Sequence, residues 1–527
     1  MNKKFMNIKN LMLIIVGLFS FFVNFYYGNI GVSPMDTFAF FDTGYNILNG
    51  KHPFRDIWVT TGPLVDYTQA LFFKIFGLNW QSYLIHGSIF NLIISVSFFL
   101  VLIKFNLNKY ISFIYAISFS ILCYTVSGTP FAYIHSYVLS LFSILILFLG
   151  IKTKSNLAFI FLPLTMLLSF FSMQTPSVYI NIIILLILIL FFFKNKNLKL
   201  FYFFCLGSFI SIILFLSFFY FLKIPFIDIY QQYFLFPISI GEYRISGNEL
   251  SHISLSDRLT FRNVLGHFKF INIFILLIIF FTFLNIYKGN KKNILDEDIL
   301  INLSLVALGL ALIFNQLITS NQTYIFSLIS FIGAFLHIYI NKRFTHFKKI
   351  KILIIFLIIF STFKYHNVFN EKRKFMDLQL VQLETSVNAN KLDKKFKNLK
   401  WVTPAFAKNP QKEIKLLEEA LEHLRENNKN KMVLTYYQFF SLLLEEDLNI
   451  PNRWYTNDNN SYPLKNHKYF NYYKKHFNDN LKNNKIEVVY SIGHPKLENF
   501  LQYTDNVCFD KSTINEITTV YNLRKCN

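Results

Sequence analysis

The stretch SPMDTFAFFDTGYNILNGKHPFRDIWVTTGPL, residues 33–64, carries Asp36, Asp42 and Asp56 together with His52 and Arg55. A carboxylate beside an incoming hydroxyl can act as a general base. Two carboxylates flanking an acetal carbon can instead cleave it as a glycoside hydrolase does. A nearby arginine suits phosphate, which its planar fork grips with paired hydrogen bonds. The stretch follows directly on an apolar run at 8–27 that is long enough to cross a bilayer. Carboxylates at such a boundary are costly against lipid and face wet cavities. A solvated linker with scattered charges is the plainer reading. The aromatic content argues against it, since Phe38, Phe40, Phe41, Tyr45, Phe54 and Trp58 would not remain in water.

A membrane-embedded scaffold must position these groups. Of 527 residues, 53% are hydrophobic and 16% charged, against about 25% charged in a soluble domain. Apolar runs at 8–27, 82–103, 110–128, 133–151, 156–172, 177–193, 200–222, 270–287, 299–319, 323–341 and 350–367 predict about 11 spans. The first reads as an uncleaved anchor, because it lacks a small-x-small cleavage site. The net charge of +22 does not point to nucleic acid, because the lysines sit in short connectors between apolar runs. There they read as a topology signal.

Connectors carrying Lys3, Lys4 and Lys9, Lys104 and Lys109, Lys152 and Lys154, Lys194 to Lys199, Lys288 to Lys292 and Lys342 to Lys351 are expected to be cytoplasmic. Long loops at 28–81 and 223–269 then lie on the other side, the periplasm of a bacterial inner-membrane protein. An odd number of spans puts the tail there too. The expected division is a mainly α transmembrane domain over 1–368 and a small periplasmic α/β domain over 369–527. In the tail, QKEIKLLEEALEHLRE (411–426) has helical periodicity, while KMVLTYY (431–437) and IEVVYSIG (486–493) read as buried strands. Cys123 and Cys205 fall in apolar runs and read as buried small hydrophobes. Cys508 and Cys526 would share an oxidising compartment and pair, the plainer reading being two free thiols. No zinc-like cysteine spacing occurs.

Within the first loop, FAFFDTGYNILNG is expected to form one short helix along the membrane interface, stopped at Gly50, with Asp36 near its N-terminus. Asp66 and Lys74 read as interfacial, and Trp80 with Tyr83 as anchors of the second span. Such a folded loop suits an enzyme acting on a lipid-linked substrate. A transporter would instead place polar groups at mid-bilayer in broken helices, and no span holds a central Asp, Glu, Lys or Arg. His86 and His135 lie near span ends.

MDTFAFFDTGYNILNGKHPFRDIWVTTGPLVDYTQALFFKIFG resembles the first extracytoplasmic loop of GT-C-type glycosyltransferases, in the branch of protein O-mannosyltransferases and lipid A aminoarabinose transferases. It shares an acidic residue after the first span, a helix ending in a Leu-x-Gly-like turn, a P-[YF]-x-D-like step, a Gly-Pro step and F-K-x-F-G. The resemblance implies transfer of a sugar from a polyprenyl-phosphate donor to a glycan, lipid or protein acceptor on the periplasmic face. It assigns the base to Asp36, with Asp42 in reserve because Thr37 replaces the usual second acidic residue. It favours a metal-independent reaction, leaving a divalent metal open. At the 173–174 turn, where relatives place a Lys-Gln pair toward the donor phosphate, only Gln174 matches.

The chemistry agrees on its own terms. Attack of a hydroxyl at an anomeric carbon needs one base and donors around the departing phosphate, which leaves without a general acid, so inversion is expected. Candidate phosphate contacts are Arg55, Arg244, Arg258 and Arg262, although the plainer reading for any one of them is a surface or interfacial ion pair with Glu242, Glu249 or Asp257. Tyr45, His52, Asp56, Asn321, Gln322 and Tyr324 are expected to line the pocket. A flippase or transporter of lipid-linked glycan and a non-catalytic envelope-assembly protein are the competing readings. No Walker loop, HExxH or GxSxG occurs.

Overall fold

The computed structural model describes residues 8–247, 253–288, 296–319, 325–456, 458–493, 495–505 and 507–526. The chain enters through α1 (Ile8–Gly28), followed by the loop helices α2 (Pro34–Thr37), α3 (Phe41–Leu48) and α4 (Leu64–Phe76). Then come α5 (Trp80–Lys104), α6 (Lys109–Leu122), α7 (Ala132–Thr153), α8 (Asn156–Ser172), α9 (Gln174–Asn195) and α10 (Leu198–Phe221). The second loop holds α11 (Phe226–Ile229), α12 (Phe236–Ser246) and α13 (Leu255–Arg258). The bundle closes with α14 (Lys269–Lys288), α15 (Glu297–Thr319), α16 (Leu328–Arg343) and α17 (Lys348–His366).

Helices occupy all eleven apolar runs. Among the described residues, nine are long and apolar enough to cross a membrane, while α8 is a shorter apolar helix of 17 residues. α16, with 16 residues, is buried along nearly its whole length, as expected of a helix that is apolar all round. Asn79, Ser155 and Asn197 cap α5, α8 and α10 through side-chain oxygens. Lys154 and Lys196 end α7 and α9 in the left-handed conformation, a cation suiting the negative end of a helix. Lys154 pairs with Glu297, and Lys342 and Arg343 pair with Asp298, which gathers the end of α7, the start of α15 and the end of α16 at one end of the bundle.

The two long loops and the tail occupy the other end. The tail contains β1 (Val387–Asn388), β2 (Lys400–Trp401), α18 (Pro410–Glu426), β3 (Lys431–Thr435), α19 (Phe440–Leu444), α20 (Phe470–Asn483), β4 (Val488–Ile492), β5 (Val507–Asn515) and β6 (Thr518–Lys525). Its main sheet runs β3-β4-β6-β5, with β3 and β4 parallel and the other pairs antiparallel. Successive strand residues point to opposite faces. Val433 and Val488 accordingly pack with Ile414 and Leu417 of α18, while Met432 and Val489 pack with Tyr473 and Phe477 of α20. The helix and both buried strands lie where periodicity placed them. Cys508 and Cys526 form a disulfide joining β5 and β6. Cys123 is buried, whereas Cys205 is exposed on the outer face of α10.

The first loop packs against the tail. Phe38, Phe40 and Phe41 have no exposed surface and pack in one core with Phe396, Trp401 and Phe439 of the tail. Ile30 bridges Lys400, and Trp58 bridges Asn452. Trp80 and Tyr83, expected as lipid anchors, are fully buried in that core, because it offers rings rather than headgroups as partners. The segment after α17 packs back on the bundle through Phe375, Met376 and Leu378.

Candidate functional site

Asp36 sits in the short turn α2, not at the N-terminus of the helix carrying Asp42. Pro34 opens the turn, its fixed φ suiting a first helical position, and the chain breaks at Phe38–Phe40 before α3 begins. The break lets Phe38 reach the tail, 5.0 Å from Phe439 and 5.7 Å from Trp401 between ring centroids. Three contacts hold the turn. Tyr83 Oη donates to Thr37 O at 2.7 Å, Ser33 N donates to Thr37 Oγ1 at 3.0 Å, and that hydroxyl faces Met376 Sδ. Asp36 itself is partly accessible and accepts no side-chain hydrogen bond among the described residues. Burial, with a smaller push from the Asp377 carboxylate, raises it from 3.8 to about 6.

Asp42 is held differently. It has no exposed surface and accepts from Ser441 N at 3.2 Å and Leu442 N at 2.9 Å, capping the first turn of α19. Burial raises it to about 7, although both amides oppose the shift. Asp66, expected at the interface, is also fully buried. It pairs with Arg453 and accepts from Thr43 Oγ1 at 2.5 Å. Arg453 also donates to Thr61 Oγ1 at 2.6 Å and lies over the Phe40 ring at 4.7 Å.

Arg55 and Asp56 form a local pair rather than facing Asp36. Asp56 Oδ2 accepts from Arg55 Nη2 at 2.8 Å and from His52 N at 2.7 Å. Arg55 also donates to the carbonyls of Leu222 and Gly50. His52 meets Tyr67 Oη through Nδ1 at 3.1 Å, and burial, then Arg55, lowers its pKa. Tyr45 is buried in the core under the tail.

The remaining arginines come from the second loop. Arg258 is buried and donates to Leu317 O and Ile318 O at the C-terminal end of α15, a favourable place for a cation. Arg244, on α12, donates to Asn460 Oδ1 at 3.2 Å and lies within electrostatic reach of Arg258, Tyr179 and Asp458. Arg262 is exposed. Gln174 spends its amide on Thr60 O and Tyr233 O, tying the two loops together. The expectations for Asn321, Gln322 and Tyr324 lie outside the described residues. Asp36 is not among the residues lining the polar cavity at the tail junction or the apolar groove on α9 and α15, and the charge that acts on it is the Asp377 carboxylate.

Ile183, Ile187 and Leu190 of α9 and Leu303 and Ala307 of α15 line an apolar groove of about 320 Å³. Tyr179 of α9 and the end of α15 held by Arg258 lie toward the loop end of the same two helices.

Sequence reasoning missed several positioning groups. Arg373 is buried and donates to Ile30 O and Ser127 O. His86 and His135 meet through Nε2 atoms at 3.0 Å, in a buried chain running from Gln69 Oε1 to Tyr124 Oη. One tautomer set satisfies this chain, with Tyr124 donating to His135, His135 to His86 and His86 to Gln69. Close backbone approach explains two glycines. A Cβ on Gly62 would stand 1.8 Å from Phe171 O, and one on Gly128 would stand 2.6 Å from the Gly28 Cα. The scarcity of arginine was the one available signal for Arg373 and Arg453. Among the described residues, no group of three or more His, Cys, Asp or Glu is placed to hold a metal. No protein-family model matches this chain, and comparison with curated proteins gives no match.

Proposed function

We propose that this chain is an integral inner-membrane glycosyltransferase of GT-C type. It would move a sugar from a polyprenyl-phosphate donor to an acceptor on the periplasmic face, with inversion and with Asp36 as the base. One observation carries the reading. Asp36 is a residue of intermediate exposure whose carboxylate has no hydrogen-bonding partner among the described residues, on a turn held by three contacts, with its pKa raised to about 6. A base is most effective when its pKa lies near the working pH, and burial with a neighbouring charge is how active sites arrange this. Asp42, spent on two backbone amides, positions the tail.

The apolar groove between α9 and α15 suits a prenyl chain. Arg244, whose guanidinium makes one hydrogen bond among the described residues, is the cation best placed to meet a phosphate above it. Lysine connectors gathered at the opposite end support a cytoplasmic assignment for that end and a periplasmic one for the loops and tail. The reading requires donor and acceptor to bring phosphate and hydroxyl to Asp36 from the Arg244 side.

The test is transfer of labelled sugar from a panel of polyprenyl-phosphate donors by purified protein in lipid nanodiscs. Asp36→Asn is expected to lower the rate by about 10²–10⁴ with unchanged donor binding. Full activity in that variant removes the base assignment. Donor binding without transfer by the wild-type protein would favour a carrier of lipid-linked glycan.

A further inference from the structure

A polar cavity of about 440 Å³ opens where three distant pieces of chain meet: residues 51–56 of the first loop, 227–232 of the second and α20 of the tail. It lies within the size range of small-ligand sites. It exists only because the tail docks on the loops, and Tyr472 Oη donates to Asp228 across that junction.

Which lining groups remain free decides what could bind. Lys51 is committed to Asp447 at 3.2 Å and to Asn484 Oδ1 at 3.1 Å, and Arg55 is committed to Asp56 and two carbonyls. Three cations, Lys51, Arg55 and Lys475, face three carboxylates, Asp56, Asp228 and Asp479, so the lining carries no net charge. Of the three cations, only Lys475 has no ion pair or hydrogen bond among the described residues. What remains is a mixture. Asp479 and the second oxygen of Asp228 can accept, Lys475 can donate, and Asn483 can do both. The Tyr472 ring is half-exposed beside them.

A ligand carrying many hydroxyls, each both donor and acceptor, uses such a set fully, and its C–H face complements the negative face of an aromatic ring. The geometry points to a binding site for an uncharged oligosaccharide at the junction of the tail with the two loops. This inference does not depend on the transferase reading.

Full-length protein in detergent is tested by saturation-transfer NMR against neutral tetrasaccharides of β-1,4-glucan, α-1,4-glucan, chitin and mannan, with inorganic phosphate as the competing probe. Binding of at least one tetrasaccharide in the millimolar range or tighter is expected, unaffected by phosphate. The double variant Asp479→Ala with Asn483→Ala, at two exposed side chains, should weaken it at least about tenfold without altering thermal unfolding. Asp36→Asn should leave it unchanged, which separates failure here from failure of the base assignment. No tetrasaccharide binding, displacement by phosphate, or equal binding by the double variant would overturn the inference.

Discussion

Asp66 and Arg453, 387 residues apart, form an ion pair in which neither side chain has any exposed surface. One belongs to α4 of the first loop and the other to the tail, so the pair pins the tail to the membrane domain beside the carboxylate turn. Two desolvated charges are worth little over an apolar pair of the same shape, but removing one strands the other. Asp66→Asn and Arg453→Met should each destabilise the docked tail by about 3–5 kcal/mol. Asp66→Leu combined with Arg453→Met should cost clearly less than the sum. Thermal unfolding in detergent, with proteolysis of residues 377–386 as the local readout, checks both. Additive losses would show that the pair is not a coupled unit.

The pH dependence of transfer should report on Asp36. As a base it works ionised, so the rate should rise with pH through about 6 and then level off. Asp377 lies outside the proposed chemistry yet helps raise that pKa. Asp377→Asn should therefore move the acid limb to lower pH without abolishing turnover. An unmoved limb would show that Asp377 does not tune the base.

Stability should follow the same group with the opposite sense. Unfolded, Asp36 titrates near 3.8, and folded near 6. Between these values the folded chain keeps a proton that the unfolded chain has released. Its contribution is therefore whole below about 3.8 and is lost as pH rises through 6. Asp42 acts in the same direction, with its loss completed near 7. Unfolding measured from pH 4 to 8 should show a shallower decline in Asp36→Asn, at equal or higher stability near neutrality. A steeper decline would contradict the raised pKa.

Asp42 and Asp36 are then separable by experiment. Asp42→Ala leaves the amides of Ser441 and Leu442 without their acceptor, at about 1–3 kcal/mol for each buried group. A lower unfolding temperature with transfer surviving in the folded fraction is expected. Asp36→Asn should give the reverse, a stable protein that does not turn over. A stable, inactive Asp42→Ala would return Asp42 to the chemistry.

Much of this architecture could be read from local pattern, and the limits have a physical cause. Long apolar runs located every helix of the bundle, and short ones located β3 and β4, because burial acts on residues that are neighbours in sequence. The interlocking of loop and tail leaves no such trace. Trp80 and Tyr83 carry the composition of a membrane anchor, yet Trp80 donates to Asn29 Oδ1 and Tyr83 to Thr37 O inside a shared aromatic core. Asp66 looked interfacial because its partner lies in a tail whose docking no local period encodes. For the same reason FAFFDTGYNILNG read as one helix. The break at Phe38–Phe40 lets the Phe38 ring face Trp401 and Phe439.

The disulfide offers a test of both tail stability and compartment. Cys508 and Cys526 close a segment with a sequence separation of 18. Cross-linking a loop of about this length restricts the unfolded chain by about 3 kcal/mol. Cys508→Ser with Cys526→Ser should lower the unfolding temperature of the tail while leaving the bundle helical by circular dichroism. Such bonds persist outside the cytoplasm. Protein from intact cells, alkylated after denaturation without reductant, should therefore take up label at Cys123 and Cys205 alone. A periplasm-only reporter fused at residue 370 should be active in the same cells. Four labelled cysteines and a silent reporter would place the tail in the cytoplasm and reverse every loop assignment, taking Asp36 away from any periplasmic acceptor.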